Sequence, residues 1–200
     1  GARSWLFYDA LRVHEMLNPD YFLYENVASM KRQDRDIISK EIGVEPIEIN
    51  SNLVSAQNRR RLYWTNIPYA GLPKDRGVLL KHILETNVDP KYLAGQKLLD
   101  NYAGGNQLNP DYKSQANTIH DHNKKSPCIA AGTHGYAIGY VDAEHFKYGD
   151  MEEVMVNSKK WRKLSPLECE RLQTLPDNYT NHVSNTQRYK MIGNGYTVDV

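Results

Sequence analysis

Residues 18–27 read Asn18-Pro19-Asp20-Tyr21-Phe22-Leu23-Tyr24-Glu25-Asn26-Val27. A turn that stops a helix is followed by a continuous apolar run and then a carboxylate. Four apolar residues in a row, Tyr21 to Tyr24, predict a short strand buried on both faces in a parallel sheet. Upstream, Trp5, Leu6, Tyr8, Leu11, Val13, Met16 and Leu17 recur mostly at three- and four-residue intervals, which predicts an amphipathic helix over Ser4–Leu17. Downstream, Asp36 to Ile42 reads as a helix closed by Gly43. Pro46-Ile47-Glu48-Ile49 and Arg61 to Ile67 then read as two further strands. Helix, strand, helix, strand, strand is the order of a doubly wound α/β sheet, here ending in an antiparallel pair.

The texture changes between about Ala70 and Lys160. Gly, Asn, Tyr, Lys and His dominate there, and only Val78 to Leu84 keeps a helical period. Gly104-Gly105-Asn106, Asn109-Pro110-Asp111 and Gly132-Thr133-His134-Gly135 are turn chemistry. This stretch predicts a small lobe of short strands and loops. Order returns at Trp161. Ser165-Pro166-Leu167-Glu168 has a capping residue, Pro at the first helical position and Glu at the third, and Ser184-Asn185-Thr186-Gln187 repeats the box. The second helix is expected to end at Gly193. The organisation is therefore 1–69, 70–160 and 161–200.

In the 200 residues, 25 Lys and Arg face 24 Asp and Glu, a formal net charge of +1. That balance argues against a protein that coats a polyanion, while leaving room for a local basic cleft. Hydrophobic residues make up 40% of the chain, too many for a disordered polypeptide. No apolar run approaches the roughly 18 to 20 residues of a membrane span, and the start has no signal-peptide pattern. Two cysteines without a CxxC spacing point to a reducing cytoplasm.

Several residues invite chemistry. Ligands of open α/β sheets bind outside the carboxyl ends of the strands, so Glu25 at such an end either meets a ligand or simply caps the next turn. In Gln57-Asn58-Arg59-Arg60-Arg61, alternation sends Arg59 and Arg61 to one face. There they form either a phosphate or base-edge clamp or a solvated basic edge. His120, His122, His134 and His145 lack the Cys or carboxylate spacing that would complete a zinc site. Lys159, Lys160, Arg162 and Lys163 surround Trp161, as solvated surface or as contacts to a nucleic-acid backbone. Cys128 and Cys169 have no local partner that would activate a thiolate.

These residues also carry a resemblance. Glu25-Asn26-Val27 comes first, then Gln57-x-Arg59-x-Arg61. Arg162-x-Leu164-Ser165-Pro166-x-Glu168-x-x-Arg171-Leu172-Gln173 closes at Pro176-Asp177, and Gly193-Asn194-Gly195 follows. Together they resemble, in order, the late motifs of the DNA cytosine-5 methyltransferases. Ser55-Ala56 before the arginines and Trp64-x-Asn66-x-Pro68 after them are also similar to the animal de novo enzymes. The resemblance implies the distal half of a Rossmann-like methyltransferase sheet plus a target recognition lobe. It implies that Glu25 contacts N3 and the exocyclic amine of a flipped cytosine, and that Arg59 and Arg61 hold the base O2 and a nearby phosphate. It further implies that Asn194 and Gly195 line an S-adenosylmethionine pocket. Double-stranded DNA is the implied partner, with Gln57, Thr118, Ile119, Lys159 and Lys160 on its side.

The family's Gly-rich cofactor turn, acidic ribose ligand and Pro-Cys nucleophile are not matched in these residues. Arg3-Ser4-x-Leu6 resembles a segment just past the nucleophile loop. The expectation is a C-terminal fragment, inactive alone, whose partner is the missing N-terminal catalytic half and whose uncovered sheet edge makes a homodimer. The rival reading is a catalytically dead DNA-binding or regulatory subunit. The compact lobe suggests a bacterial or phage origin.

Overall fold

The computed structural model describes residues 2–95, 115–131, 139–142 and 161–200. The turns at 104–106, 109–111 and 132–135, together with His134, His145, Lys159 and Lys160, lie outside the described residues. The chain forms two compact units, Gly1–Asn50 with Arg60–Leu72, and Ser51–Arg59 with Pro73–Val200.

The first unit orders helix α1 (Ala2–Leu17), strand β1 (Leu23–Val27), helix α2 (Arg32–Ile42), strand β2 (Ile47–Asn50) and strand β3 (Arg60–Thr65). α1 ends at Asn18, whose positive φ of 41° turns the chain ahead of Pro19. α2 ends at Gly43, φ 83°, whose N–H bonds to the Ser39 carbonyl. Only glycine adopts that left-handed cap without steric cost. The sheet order is β1-β3-β2, with β3 antiparallel to both neighbours.

The antiparallel pair expected at the end of the sheet forms, as β2 with β3, while the parallel pairing expected of β1 is corrected. β1 and β2 run parallel to each other but are separated by β3, so no parallel pair forms among the three. β1 also starts later than expected, at Leu23, and holds Glu25 at its centre rather than beyond its end. It is not buried on both faces. Tyr24 packs with Leu62, Trp64, Ile38 and Phe7 in the core, while Leu23 and Val27 are exposed. The Trp64 indole N–H donates to Ser39 Oγ at 2.9 Å, fixing α2 over the sheet. On α1, Trp5, Leu6, Met16 and Leu17 are all at least 70% exposed, an apolar surface of the kind that marks interaction sites.

The second unit has a small sheet, β4 (Ile119–Asp121), β5 (Tyr140–Asp142) and β6 (Trp161–Arg162), and two helices, α3 (Pro166–Leu172) and α4 (Asn185–Asn194). β4 pairs parallel with β5, and β5 antiparallel with β6. The helical period at Val78–Leu84 becomes only a 3-10 turn, Leu80–His82. Leu80, Ile83 and Leu84 are nonetheless buried with Ile129, Val141, Leu164, Leu172, Tyr189 and Ile192 in the main core.

At α3 the capping box forms as the sequence predicts. Ser165 Oγ accepts from Glu168 N–H at 3.2 Å, and Glu168 Oε2 accepts from Ser165 N–H at 2.8 Å. Glu168 does more. Both its oxygens also accept from Arg162, at 2.6 and 2.7 Å, with both side chains fully buried. Arg162 is therefore no part of a solvated basic cluster. At α4, Ser184 caps the helix, and the helix runs past Gly193 to Asn194.

Gly193 is helical and has no side chain for a packing reason. A Cβ there would lie 2.6 Å from the Ala130 carbonyl oxygen and 2.7 Å from Ala131 Cα. Both are backbone atoms that cannot rotate away. Gly193→Ala is expected to destabilise the chain by about 1–3 kcal/mol through overpacking. Urea unfolding checks this, and an unchanged midpoint would mean that the 129–131 segment yields freely.

Candidate active-site elements

In the first unit, cross-strand pairing brings Glu25 and Arg61 together. Glu25 lies opposite Tyr63, and Arg61 opposite Val27, so the two side chains meet on a diagonal between β1 and β3. Arg61 Nε stands 2.7 Å from Glu25 Oε1, with the side chains 14% and 22% exposed. The outcome is a carboxyl held by a guanidinium at the edge of the sheet, both partly open to a ligand. Arg60, one residue away, pairs with Glu48 at the surface instead.

Arg59 does not share Arg61's task. It lies before β3 and belongs to the second unit, so strand alternation does not govern it. Its guanidinium is spent on protein groups. Nη1 donates to the Ile129 carbonyl at 3.2 Å and contacts Cys128 Sγ at 3.2 Å. Nη2 donates to the carbonyls of Gly193 at 3.3 Å and Gly195 at 2.8 Å. The paired-arginine clamp expected from the sequence is therefore corrected to one arginine on the carboxylate and one beneath the Gly193–Gly195 turn.

Gln57, expected on the DNA side, is instead fully buried among protein groups. Its amide donates to the Leu172 carbonyl and Gln173 Oε1, and accepts from Ile129 N–H. Asn194, the last residue of α4, is exposed and Gly195, just after the helix, is half-buried, with the carbonyls on either side of Asn194 held by Arg59. Thr118 is half-buried, and its carbonyl accepts from Tyr140 N–H at 2.9 Å. Ile119 packs on Tyr140 and Trp161, so its side chain serves a small core rather than projecting as a free contact.

The two cysteines differ. Cys169 is wholly buried, and burial, reinforced by the neighbouring Glu168 and Glu170, pushes its thiol well above the ordinary range. It is inert. Cys128 is half-buried and does have a charged neighbour, Arg59, which is distant in sequence and so invisible to a local search. His122 is buried, with Nδ1 2.9 Å from the Asp142 carbonyl and Nε2 2.9 Å from the Asn123 amide. Among the described residues, no three His, Cys, Asp or Glu side chains cluster in a metal-binding arrangement. None of the described helices is long and apolar enough to cross a membrane.

The residues that sequence reasoning missed are polar and internal. Glu170, fully buried, accepts from Thr180 N–H and Asn178 N–H, both at 2.8 Å, and from Arg188 at 2.9 Å. Burial would raise its pKa, but the hydrogen bonds from Thr180 and the Arg188 guanidinium outweigh that and hold it below the usual carboxylate value. Gln173 was legible only as part of the motif around Arg162.

A family model described as C-5 cytosine-specific DNA methylase matches residues 1–200. The Type II methyltransferase M1.ScrFI of Lactococcus lactis subsp. cremoris is 28% identical, over 98% of this chain and 53% of its own length. The Type II methyltransferase M.NlaX of Neisseria lactamica is 26% identical, over 100% of this chain and 66% of its own. The chain thus spans between about half and two thirds of these relatives. Among solved structures, the S. pombe Dnmt2 methyltransferase superposes with a TM-score of 0.65 at 17% identity, covering 98% of this chain and 69% of that one. The fold is the α/β fold of these methyltransferases, with a small strand-and-loop lobe.

Proposed function

The chain belongs to the C-5 cytosine-specific DNA methylase family, and from that premise we propose that it is the distal part of an enzyme that methylates C5 of a flipped cytosine in duplex DNA. Residues 1–69 and 161–200 belong to the catalytic α/β domain, and 70–160 to the target recognition domain. The Type II methyltransferase names of the relatives support a place in restriction-modification.

One observation carries the reading: Glu25 is held by Arg61 at 2.7 Å on adjacent strands, both partly exposed. Addition of a thiolate to C6 of cytosine needs a proton at N3, and a carboxyl at that edge of the base supplies it. As Glu25 gives up the proton it becomes a carboxylate, and Arg61 stabilises the charge where it develops. Arg61, partly exposed beside Glu25, also meets the base O2, while Arg59 holds the carbonyls of Gly193 and Gly195. The second unit offers the exposed Asn194 on a turn whose carbonyls are tied down, which fits one edge of a cofactor pocket. S-adenosylmethionine, when bound, supplies the methyl group. Thr118 contacts DNA from the recognition lobe, and Lys159 and Lys160 serve phosphates.

The nucleophile comes from outside these 200 residues, because Cys169 is sealed in the core and Cys128 lies against Arg59 in no matching motif. The 200-residue chain with tritiated S-adenosylmethionine and mixed-sequence duplex should therefore leave the DNA unlabelled. The same chain fused behind the N-terminal part of M.NlaX should label C5 of cytosine. Labelling by the chain alone would place the nucleophile within it and overturn the assignment.

The exposed apolar side chains of α1 and β1 are the proposed seat of the N-terminal catalytic half. Without it, the isolated chain should cover them by self-association. Light scattering should report a dimer or larger, and adding the N-terminal half should dissolve it. A monomer at high concentration would refute this.

A further inference from the structure

Gln173 lies just past the end of α3 and is fully buried. A side-chain amide carries two N–H donors and an oxygen with two lone pairs, and here all four are used. Nε2 donates to the carbonyls of Ile192 at 2.8 Å and Gly195 at 3.2 Å. Oε1 accepts from Thr197 Oγ1 and from Gln57 Nε2, each at 2.8 Å. Its backbone carbonyl also accepts from Val198 N–H at 3.0 Å. Gln173 therefore grips the chain on both sides of Asn194: before it at Ile192, and after it at Gly195, Thr197 and Val198.

The carbonyls at a helix C-terminus need partners, but water or a left-handed glycine usually suffices. Here Gly195 is extended, φ −74° and ψ 171°, and buried side chains from distant parts of the sequence take over. Arg59 holds Gly193 and Gly195 from one stretch, Gln173 holds Ile192 and Gly195 from another, and Gln57 ties the two stretches together. A buried polar network is costly to assemble and rigid once satisfied. This one converges on the backbone of a single turn whose middle residue, Asn194, is exposed. That is how a fold preorganises a group that must meet a ligand.

We propose that Gln173 is a positioning residue for cofactor binding, holding the Asn194–Gly195 turn in the geometry that receives S-adenosylmethionine. The inference rests on reading that turn as the cofactor's edge. Gln173 does not touch the cofactor itself, and acts through the carbonyls of Ile192 and Gly195.

The test uses the intact enzyme that contains this chain. Gln173→Met keeps the length of the side chain and removes all four hydrogen bonds. It should weaken S-adenosylmethionine binding roughly tenfold or more, the effect of losing about one net hydrogen bond's worth of positioning. Duplex DNA affinity should stay within about twofold, and KM for S-adenosylmethionine should rise with kcat at saturation changed far less. Thr197→Val, which withdraws one donor, should give a smaller shift of the same kind, and Thr197→Ser should restore the native value. If Gln173→Met does not fold, the Thr197 pair decides. Equal weakening of cofactor and DNA binding would make Gln173 merely structural and overturn the inference. Asn194→Ala separates the premise from the inference. If it leaves S-adenosylmethionine affinity intact, the turn is not the cofactor's edge and both fall. If it weakens that affinity while Gln173→Met and Thr197→Val do not, the inference alone falls.

Discussion

In the intact enzyme, Glu25→Gln should lower turnover by ~10²- to 10⁴-fold, the usual worth of a positioned general acid. DNA affinity should change little. Gln has the shape of Glu and still offers an oxygen to Arg61, so the cross-strand contact that places residue 25 survives. What disappears is the proton. The loss therefore falls on the activated ring, where N3 must be protonated as the thiolate adds, and not on the bound ground state. Single-turnover methylation with saturating DNA isolates that step from product release. A fall of less than about threefold on that assay would make Glu25 a structural partner of Arg61 and nothing more. Arg61→Met gives a second arm. It removes the group that stabilises the developing carboxylate, so it too should depress the chemical step, with added loss wherever it reaches the base.

How much of this was legible in the residues follows from the range of the interactions. Helix starts depend on neighbours three residues away, and the Ser165 and Ser184 caps read correctly from sequence. Gly43 was equally local. The antiparallel pair of β2 with β3 also read correctly, but the pairing of β1 did not. Nothing in Tyr21-Phe22-Leu23-Tyr24 reveals that β3 inserts beside β1, and an apolar run buried by a helix on one side looks like one buried on both. The Glu25–Arg61 meeting joins residues far apart in the chain and depends on that insertion. Arg59 escapes strand alternation because β3 starts one residue later, at Arg60. Gln57 stands in a motif where a polar residue suggests a ligand, yet it is buried in an internal network with Gln173. Periodicity describes a side chain's direction but not which distant backbone will need its hydrogen bonds.

The largest stability effect should come from Glu168, which sequence alone marks only as a helix cap. Its carboxylate takes the Arg162 guanidinium through both oxygens, and also accepts from Ser165 N–H at 2.8 Å and Glu85 N–H at 2.7 Å. Glu168→Leu leaves a fully buried guanidinium without its countercharge, a loss of about 3–5 kcal/mol. It also strands two backbone donors, each costing about 1–3 kcal/mol if left dry. Against a typical total of about 5–15 kcal/mol, the second unit should be close to unfolding. Arg162→Met should be milder, because the carboxylate it exposes still receives the two N–H groups. Combining Arg162→Met with Glu168→Leu should recover part of the loss, since no buried charge remains, although the two donors and the Lys163 carbonyl that Arg162 holds at 3.1 Å lose their partners. Urea denaturation of the three variants checks the order: Glu168→Leu least stable, the double variant more stable than it. If Glu168→Leu unfolds near the native midpoint, water reaches Arg162 in the folded state and the pair is not sealed. If the double variant is no better than Glu168→Leu alone, the stranded N–H groups, and not the buried charge, dominate at this helix start.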